Sequence, residues 1–285
     1  MTTLDDLARE VMHHEQGIAG LKPDNGARVV FREGAPHVRL PLAVVYLHGL
    51  TASQGEGMPA HLALADACDA HLFLNRLHGH GTDLPEALHG VTADQWRRDA
   101  VHALEIGRAL GDRVILVGTS MGASLALDLA AEYPADVAAV VAWSPGIRPH
   151  DAAQLDAAVR MQGAVGAPGE RPAFQRRYWS SFVHTDAYRA VAHLFGTRMT
   201  TAVIGRITCP VFFGVWDGGE SDRDTLTSVE GMREAFAWLG TPPASRRLVA
   251  YDHAAHVLAS PERSPAAARV LRDSIAFLRD EGFVR

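Results

Sequence analysis

Cysteine is almost missing from this 285-residue sequence: Cys68 and Cys209 are the two present, at no metal-binding or redox spacing. A disulfide framework is therefore not implied. No apolar run is long enough to cross a bilayer, and the opening MTTLDDLARE is acidic, without the apolar stretch of a secretory leader. The expectation is a cytoplasmic protein with no membrane span. Excess basic charge is missing as well. The formal net charge is -6, so no basic stripe is available to neutralise phosphates, which argues against a nucleic-acid partner. The pairs Arg176-Arg177 and Arg246-Arg247 read as solvated surface. Internal repeats and low-complexity tracts are absent too.

An apolar fraction of 47% against 21% charged residues is what a soluble globular chain needs to bury a core. The length suits one large domain, or one domain with an insertion. Short apolar runs alternate with longer stretches of helical period. Helices are predicted over LDDLAREVMHHE, Met58 to Cys68, Thr92 or Ala93 to Leu110, Ser120 to Tyr133, Val229 to Leu239 and Pro265 to Glu281. Strands are predicted at Ala27 to Phe31, Leu42 to Leu47, His71 to Leu74, Arg113 to Val117, Val137 to Trp143, Cys209 to Trp216 and Arg247 to Tyr251. Such alternation specifies an α/β class, a doubly wound, mostly parallel sheet. Residues 144–205 break the rhythm. They hold several aromatics (Phe174, Tyr178, Trp179, Phe182, Tyr188 and Phe195) and no buried-type strand, and so read as an inserted helical cap. The core is then 1–143 with 206–285.

Gly118-Thr119-Ser120-Met121-Gly122 follows the strand RVILV and opens a helix. G-x-S-x-G in a strand–turn–helix setting raises a serine oxygen above a sheet edge, beside the unpaired N–H groups of a helix start. Ser120 is the candidate nucleophile. The strand LAVVYL ends in His48-Gly49-Leu50-Thr51, where a second oxyanion donor is expected: the Leu50 N–H, paired with that of Met121. His48 reads as a structural bridge between loops. Gly55-Glu56-Gly57 reads equally as a flexible stretch lining the mouth or as a plain loop. His78, His80 and Asp83 could approach a metal, but a structural loop is the better reading, so no metal and no cofactor are expected.

A base must arrive late in the chain. His253 and His256 both follow the last strand, and His256, set before Val257-Leu258, is preferred on position. The acid that orients it should come from the loop after CPVFFGVW, where Asp217, Glu220, Asp222 and Asp224 are all candidates.

These stretches resemble the α/β-hydrolase superfamily: YLHGLTAS, NRLHGHG, VGTSMGAS, CPVFFGVWDGGESDRDTLTSV and HAAHVLASP, together spanning most of the chain. The chain looks like the bacterial esterase- or lysophospholipase-like serine hydrolases that carry a small helical cap. The resemblance favours Asp224, ahead of Thr225-Leu226-Thr227-Ser228-Val229, and likewise His256. The loop DGGESDRD is longer than in many relatives, which leaves Asp217 and Asp222 open. The implied activity is hydrolysis of a small-molecule carboxylic ester through an acyl-enzyme on Ser120, with the cap aromatics and Trp143 supplying an apolar acyl pocket. An acyltransferase, or a ligand-binding relative without turnover, is the alternative. Oligomeric state stays open, a homodimer included.

Overall fold

The computed structural model describes residues 3–167 and 169–284. Helix α1 (Leu4–Gln16) starts at a capping box: the Asp6 N–H donates to Thr3 Oγ1 at 3.1 Å, and the Thr3 N–H to the Asp6 carboxylate at 3.0 Å. Then come β1 (Arg28–Val30), β2 (Leu40–Leu47), α2 (Ala60–Ala67), β3 (His71–Leu74), α3 (Ala93–Leu110), β4 (Gly111–Thr119), α4 (Met121–Glu132) and β5 (Val137–Trp143). Gly111 ends α3 and also begins β4, so helix and strand meet without a loop. Between β5 and the next strand of the main sheet lie α5 (Ala152–Arg160), β6 (Ala164–Gly166), α6 (Ala173–Tyr178), β7 (Phe182–His184), α7 (Asp186–Arg198) and α8 (Thr201–Ile204). The chain closes with β8 (Val211–Gly219), β9 (Asp222–Arg223), α9 (Val229–Trp238), β10 (Arg246–Tyr251) and α10 (Ala267–Asp280).

The main sheet has eight strands in the order β1-β3-β2-β4-β5-β8-β10, with β9 folded back on β8. Only β1 and β9 run antiparallel to their neighbours. Its central strands read as unbroken apolar runs because both faces are covered. Along β2, Val45 and Leu47 join the core shared with α3 and α4, while Val44 and Tyr46 join the one shared with α2 and α10. Leu47, Leu116 and Phe213 are wholly buried, and each such side chain contributes roughly 1.5–3 kcal/mol.

Strand order reverses at β2. Its partner β3 lies on one side and β4 on the other, with Leu47 opposite Gly118. Such a switch opens a crevice at the carboxyl ends of the two strands. Both loops that leave there, after Leu47 and after Thr119, are the ones singled out in the sequence.

Two expectations are corrected. The segment after β5 is not purely helical, since β6 and β7 pair antiparallel; three-residue strands are too short to show alternation. Residues Gln54–Gly57 form a buried 3-10 turn, not a flexible loop. A side chain on Gly55 would collide with the Tyr178 ring, so the turn is packed from above. The segment is also tied to the core through α7. Buried Asp128 of α4 accepts from Arg97 Nε of α3 at 2.6 Å and from Arg198 Nε of α7 at 2.5 Å, which compensates its desolvation on both sides.

Among the described residues no helix is long and apolar enough to cross a membrane.

Candidate active site

Ser120 sits between β4 and α4 with φ 54° and ψ -119°. Left-handed backbone at a non-glycine residue costs about 1–3 kcal/mol and persists only where neighbours over-determine it. Here the Ser120 N–H donates to the Trp143 carbonyl at 3.0 Å, and the Ser120 carbonyl accepts the N–H groups of Ser124 and Gly146, each at 3.1 Å. A Cβ at Gly122 would overlap the Leu47 carbonyl, so α4 can dock against β2 only without a side chain there. The Met121 N–H lies in the first helical turn and has no helical acceptor.

The loop after β2 is wired from below. Leu77 N–H donates to His48 Nε2 at 3.0 Å, so the ring proton sits on Nδ1, 2.9 Å from the Gly49 carbonyl. Burial pulls His48 down to about 4, keeping it neutral. The ring bridges two loops, as its position in the sequence suggests. Gly49 O also accepts the Ala52 N–H at 3.3 Å, and Gly49 N–H donates to Glu56 Oε1.

Asp224 and His256 are brought together: His256 Nδ1 lies 2.6 Å from Asp224 Oδ2. The carboxylate is wholly buried. Its Oδ1 accepts the N–H groups of Leu226 (2.9 Å) and Thr227 (3.1 Å), and Oδ2 accepts the Thr227 hydroxyl at 3.2 Å. Burial pushes the Asp224 carboxyl up, but His256 and these donors outweigh it and hold it below the usual range. Burial also pulls the His256 imidazole down, and Asp224 followed by Glu56 outweigh that, so its pKa is raised.

The other acids point elsewhere. Asp217 pairs with Arg233 at 2.6 Å. Asp222 accepts Trp216 Nε1–H at 2.6 Å and the His253 N–H at 2.7 Å. Glu220 is exposed, and so is His253.

Ser120, Leu50, Met121 and His256 line one cavity of about 590 Å³, together with Glu56, Arg263 and apolar side chains such as Leu155 and Val191. Among the described residues no hydrogen bond joins the Ser120 hydroxyl to His256; the two share the cavity wall. Of the aromatics, Trp179, Tyr188 and Phe195 line the cavity. Tyr178 packs on Gly55, Phe174 packs on Tyr178 and Trp179, and Phe182 is exposed. Trp143 does not line it, contrary to expectation. It lies in the core with Tyr46, its Nε1–H donating to Ser274 Oγ of α10 at 3.1 Å. Sequence proximity to the nucleophile is no guide here, because strand alternation aims this residue at the opposite side of the sheet.

Glu56 belongs to the 55–57 stretch that the sequence sets at the mouth, and it lines the cavity; Arg263 is not among the sequence candidates, because an arginine in a loop carries no periodic signal.

The 78–83 loop offers no metal cage. Buried His80 has Nδ1 3.0 Å from the His78 carbonyl, while Asp83 engages Lys22 at 3.3 Å and the Ser181 N–H at 2.7 Å. His89, His184 and Asp186 do bring ligand atoms within 4.8 Å of one another. None of them lines the cavity, and Asp186 is already engaged by the Gly90 N–H (2.7 Å) and by Arg189 (2.6 Å).

Comparison with known proteins bears on the fold that carries this geometry. Residues 41–178 match the family described as serine aminopeptidase, S33. A search of curated proteins gave no match. Among solved structures, a metagenome-derived lipolytic enzyme is similar at 18% identity, TM-score 0.71, over 92% of this chain and 98% of that one. The monoacylglycerol lipase of Paleococcus ferrophilus is similar at 18% identity, TM-score 0.66, over 84% and 95%. A monoglyceride lipase of Saccharomyces cerevisiae follows at 12% identity, TM-score 0.71, over 91% and 92%. At such identities the likeness is one of fold.

Proposed function

The chain has the α/β-hydrolase fold, and on that premise we propose that it cleaves small carboxylic esters through an acyl-enzyme on Ser120. The observation that carries this reading is the left-handed serine sharing a cavity wall with His256, whose ring is held from behind by buried Asp224. His256 Nε2 takes the Ser120 hydroxyl proton as Oγ attacks the ester carbonyl carbon. The oxyanion accepts the N–H groups of Leu50 and Met121, neither of which has another acceptor among the described residues. Collapse expels the alcohol, which takes its proton from His256. Water then attacks the acyl carbon and gives a proton to the same nitrogen; the acyl–Oγ bond breaks, Ser120 Oγ takes that proton back, and the acid is freed. Asp224 holds Nδ1–H in place and stabilises the imidazolium at each step.

We read residues 144–205 as a cap over this cavity, since they supply Pro149, Leu155, Trp179, Tyr188, Val191 and Phe195 to its wall. The wall is mixed: apolar side chains such as Leu155, Val191 and Phe195 suit an acyl chain, while Thr51, Asp151, Gln154, Thr227 and Arg263 offer polar contacts to the rest of the ester. The lipolytic and monoacylglycerol-cleaving activities named for the structural neighbours support the ester class.

The test is turnover of p-nitrophenyl esters of graded acyl length, with fluorophosphonate labelling of the intact chain. Wild type should label and hydrolyse; Ser120→Ala should do neither. Full labelling of the variant would remove Ser120 from the role.

A further inference from the structure

Two acids line the cavity that the reaction above does not use: Asp151, which caps α5 by accepting the N–H groups of Ala153 and Gln154, and Glu56. Glu56 is 2% exposed and lines the cavity beside Ser120 and His256. Both of its hydrogen bonds fall on Oε1, from Gly49 N–H and from Tyr46 OH at 3.3 Å; Oε2 has no partner among the described residues. A Cβ placed on Gly49 would lie 3.3 Å from Oε1 and 3.3 Å from Ser120 Cβ, so the carboxylate and the serine flank the same glycine. Gly49 is thereby held on both sides: Glu56 accepts its N–H, and its carbonyl accepts the His48 Nδ1–H and the Ala52 N–H. The next N–H along the chain is that of Leu50.

We propose that Glu56 is a positioning residue of this site: it clamps Gly49 so that the Leu50 N–H faces the cavity, and it sets a second negative charge within reach of His256.

Charged groups acting on His256 are Asp224, Glu56 and Arg263. Those facing Glu56 are His256 and the Tyr46 hydroxyl, which is also bonded to Thr119 Oγ1 at 2.9 Å. The His61 ring packs on Tyr46 and is neutral, since burial pulls it down to about 4. Burial pushes Glu56 up to about 7 against the pull of Gly49 N–H and His256. Glu56 and the imidazole act on each other, so their ionisations belong to the pair. An ionised Glu56 favours the imidazolium, so removing its charge should let the neutral, proton-accepting ring persist to lower pH.

The proposal rests on the serine-hydrolase reading for its kinetic arm only. The first measurement is an NMR titration of the His256 imidazole in the full chain, for wild type and Glu56→Gln, with His256→Gln assigning the signal. Glutamine keeps an acceptor for Gly49 N–H but no charge. The ring of the variant should titrate at lower pH, and the acid limb of kcat/KM should move the same way with KM unchanged within about twofold. Glu56→Ala also loses the acceptor, and its kcat should fall at least about tenfold. Glu56→Asp, a fallback should glutamine prevent folding, keeps the charge but draws it back; its imidazole should titrate near the wild-type pH while kcat falls. Superimposable titrations of wild type and the glutamine variant, an aspartate variant displaced as far as alanine, or an alanine variant with undiminished kcat would each overturn the proposal. Absence of labelling and turnover in wild type would instead refute the hydrolase reading, and the titration would still decide Glu56.

Discussion

His256 Nδ1 stands 2.6 Å from Asp224 Oδ2, and the other oxygen of that carboxylate is engaged by the N–H groups of Leu226 and Thr227. The acid is locked from behind, so the ring it holds has one orientation. Asp224→Asn should leave the fold intact but lower kcat by about 10³–10⁴, because an amide can hold the wrong tautomer. The imidazole also loses the charge that raises it most, so the acid limb of the rate profile should move to lower pH. Steady-state kinetics from pH 5 to 9, with circular dichroism as the fold check, decides this.

Asp217 and Asp222 are acids of the same loop with other work. Asp217→Asn loses an exposed pair with Arg233, and its kcat should stay within about twofold of wild type. Asp222→Asn weakens the acceptor for Trp216 Nε1–H and His253 N–H. It should lower the urea midpoint more than it lowers kcat at saturating ester. A kcat loss in either variant as deep as that of Asp224→Asn would reassign the acid.

Two glycines of the site should fail in different ways. Gly122→Ala drives a methyl group into the Leu47 carbonyl, where backbone cannot yield cheaply, and should destabilise the fold by about 3 kcal/mol or more. Gly49→Ala meets Glu56 and Ser120 at 3.3 Å, a tight contact that side chains can relieve. It should keep most of the stability and lose activity. Urea unfolding paired with ester turnover separates the two.

Glu56 should make stability fall as pH rises. Its folded pKa, about 7, lies above the ordinary value of 4.5. The native chain therefore keeps a proton that the unfolded chain gives up. The associated stability is full below pH 4.5 and is lost as pH climbs through 7. Relative to wild type, Glu56→Gln should gain stability between pH 5 and 8 by up to about 3 kcal/mol. A gap that does not widen across that range in urea titrations would contradict the burial of a titrating carboxyl.

Much of the site was legible because it is local. Gly118 to Gly122 combines strand end, turn and helix start within five residues, and short-range sterics dictate its shape. His256 follows the last strand within a loop that sequence order brings to the same sheet edge. The acid was harder. Asp217, Glu220, Asp222 and Asp224 lie within eight residues, and composition cannot separate them. The separation comes from the β8–β9 hairpin, which turns Asp217 toward Arg233 and Asp222 toward Trp216. Trp143 was misplaced for a related reason: the face of a strand that meets a cavity depends on which layer covers it.

The sequence alone determined the order of the main strands and helices outside residues 144–205, the doubly wound class and the sharp serine turn, because hydrophobic period and glycine sterics act between near neighbours. Tertiary structure alone decided that Asp224 meets His256, that Glu56 is buried under Gly49, and that Trp179, Tyr188 and Phe195 wall the cavity while Trp143 does not. Those outcomes depend on contacts between residues far apart in the chain, and desolvation and charge act through space, with no imprint on local spacing.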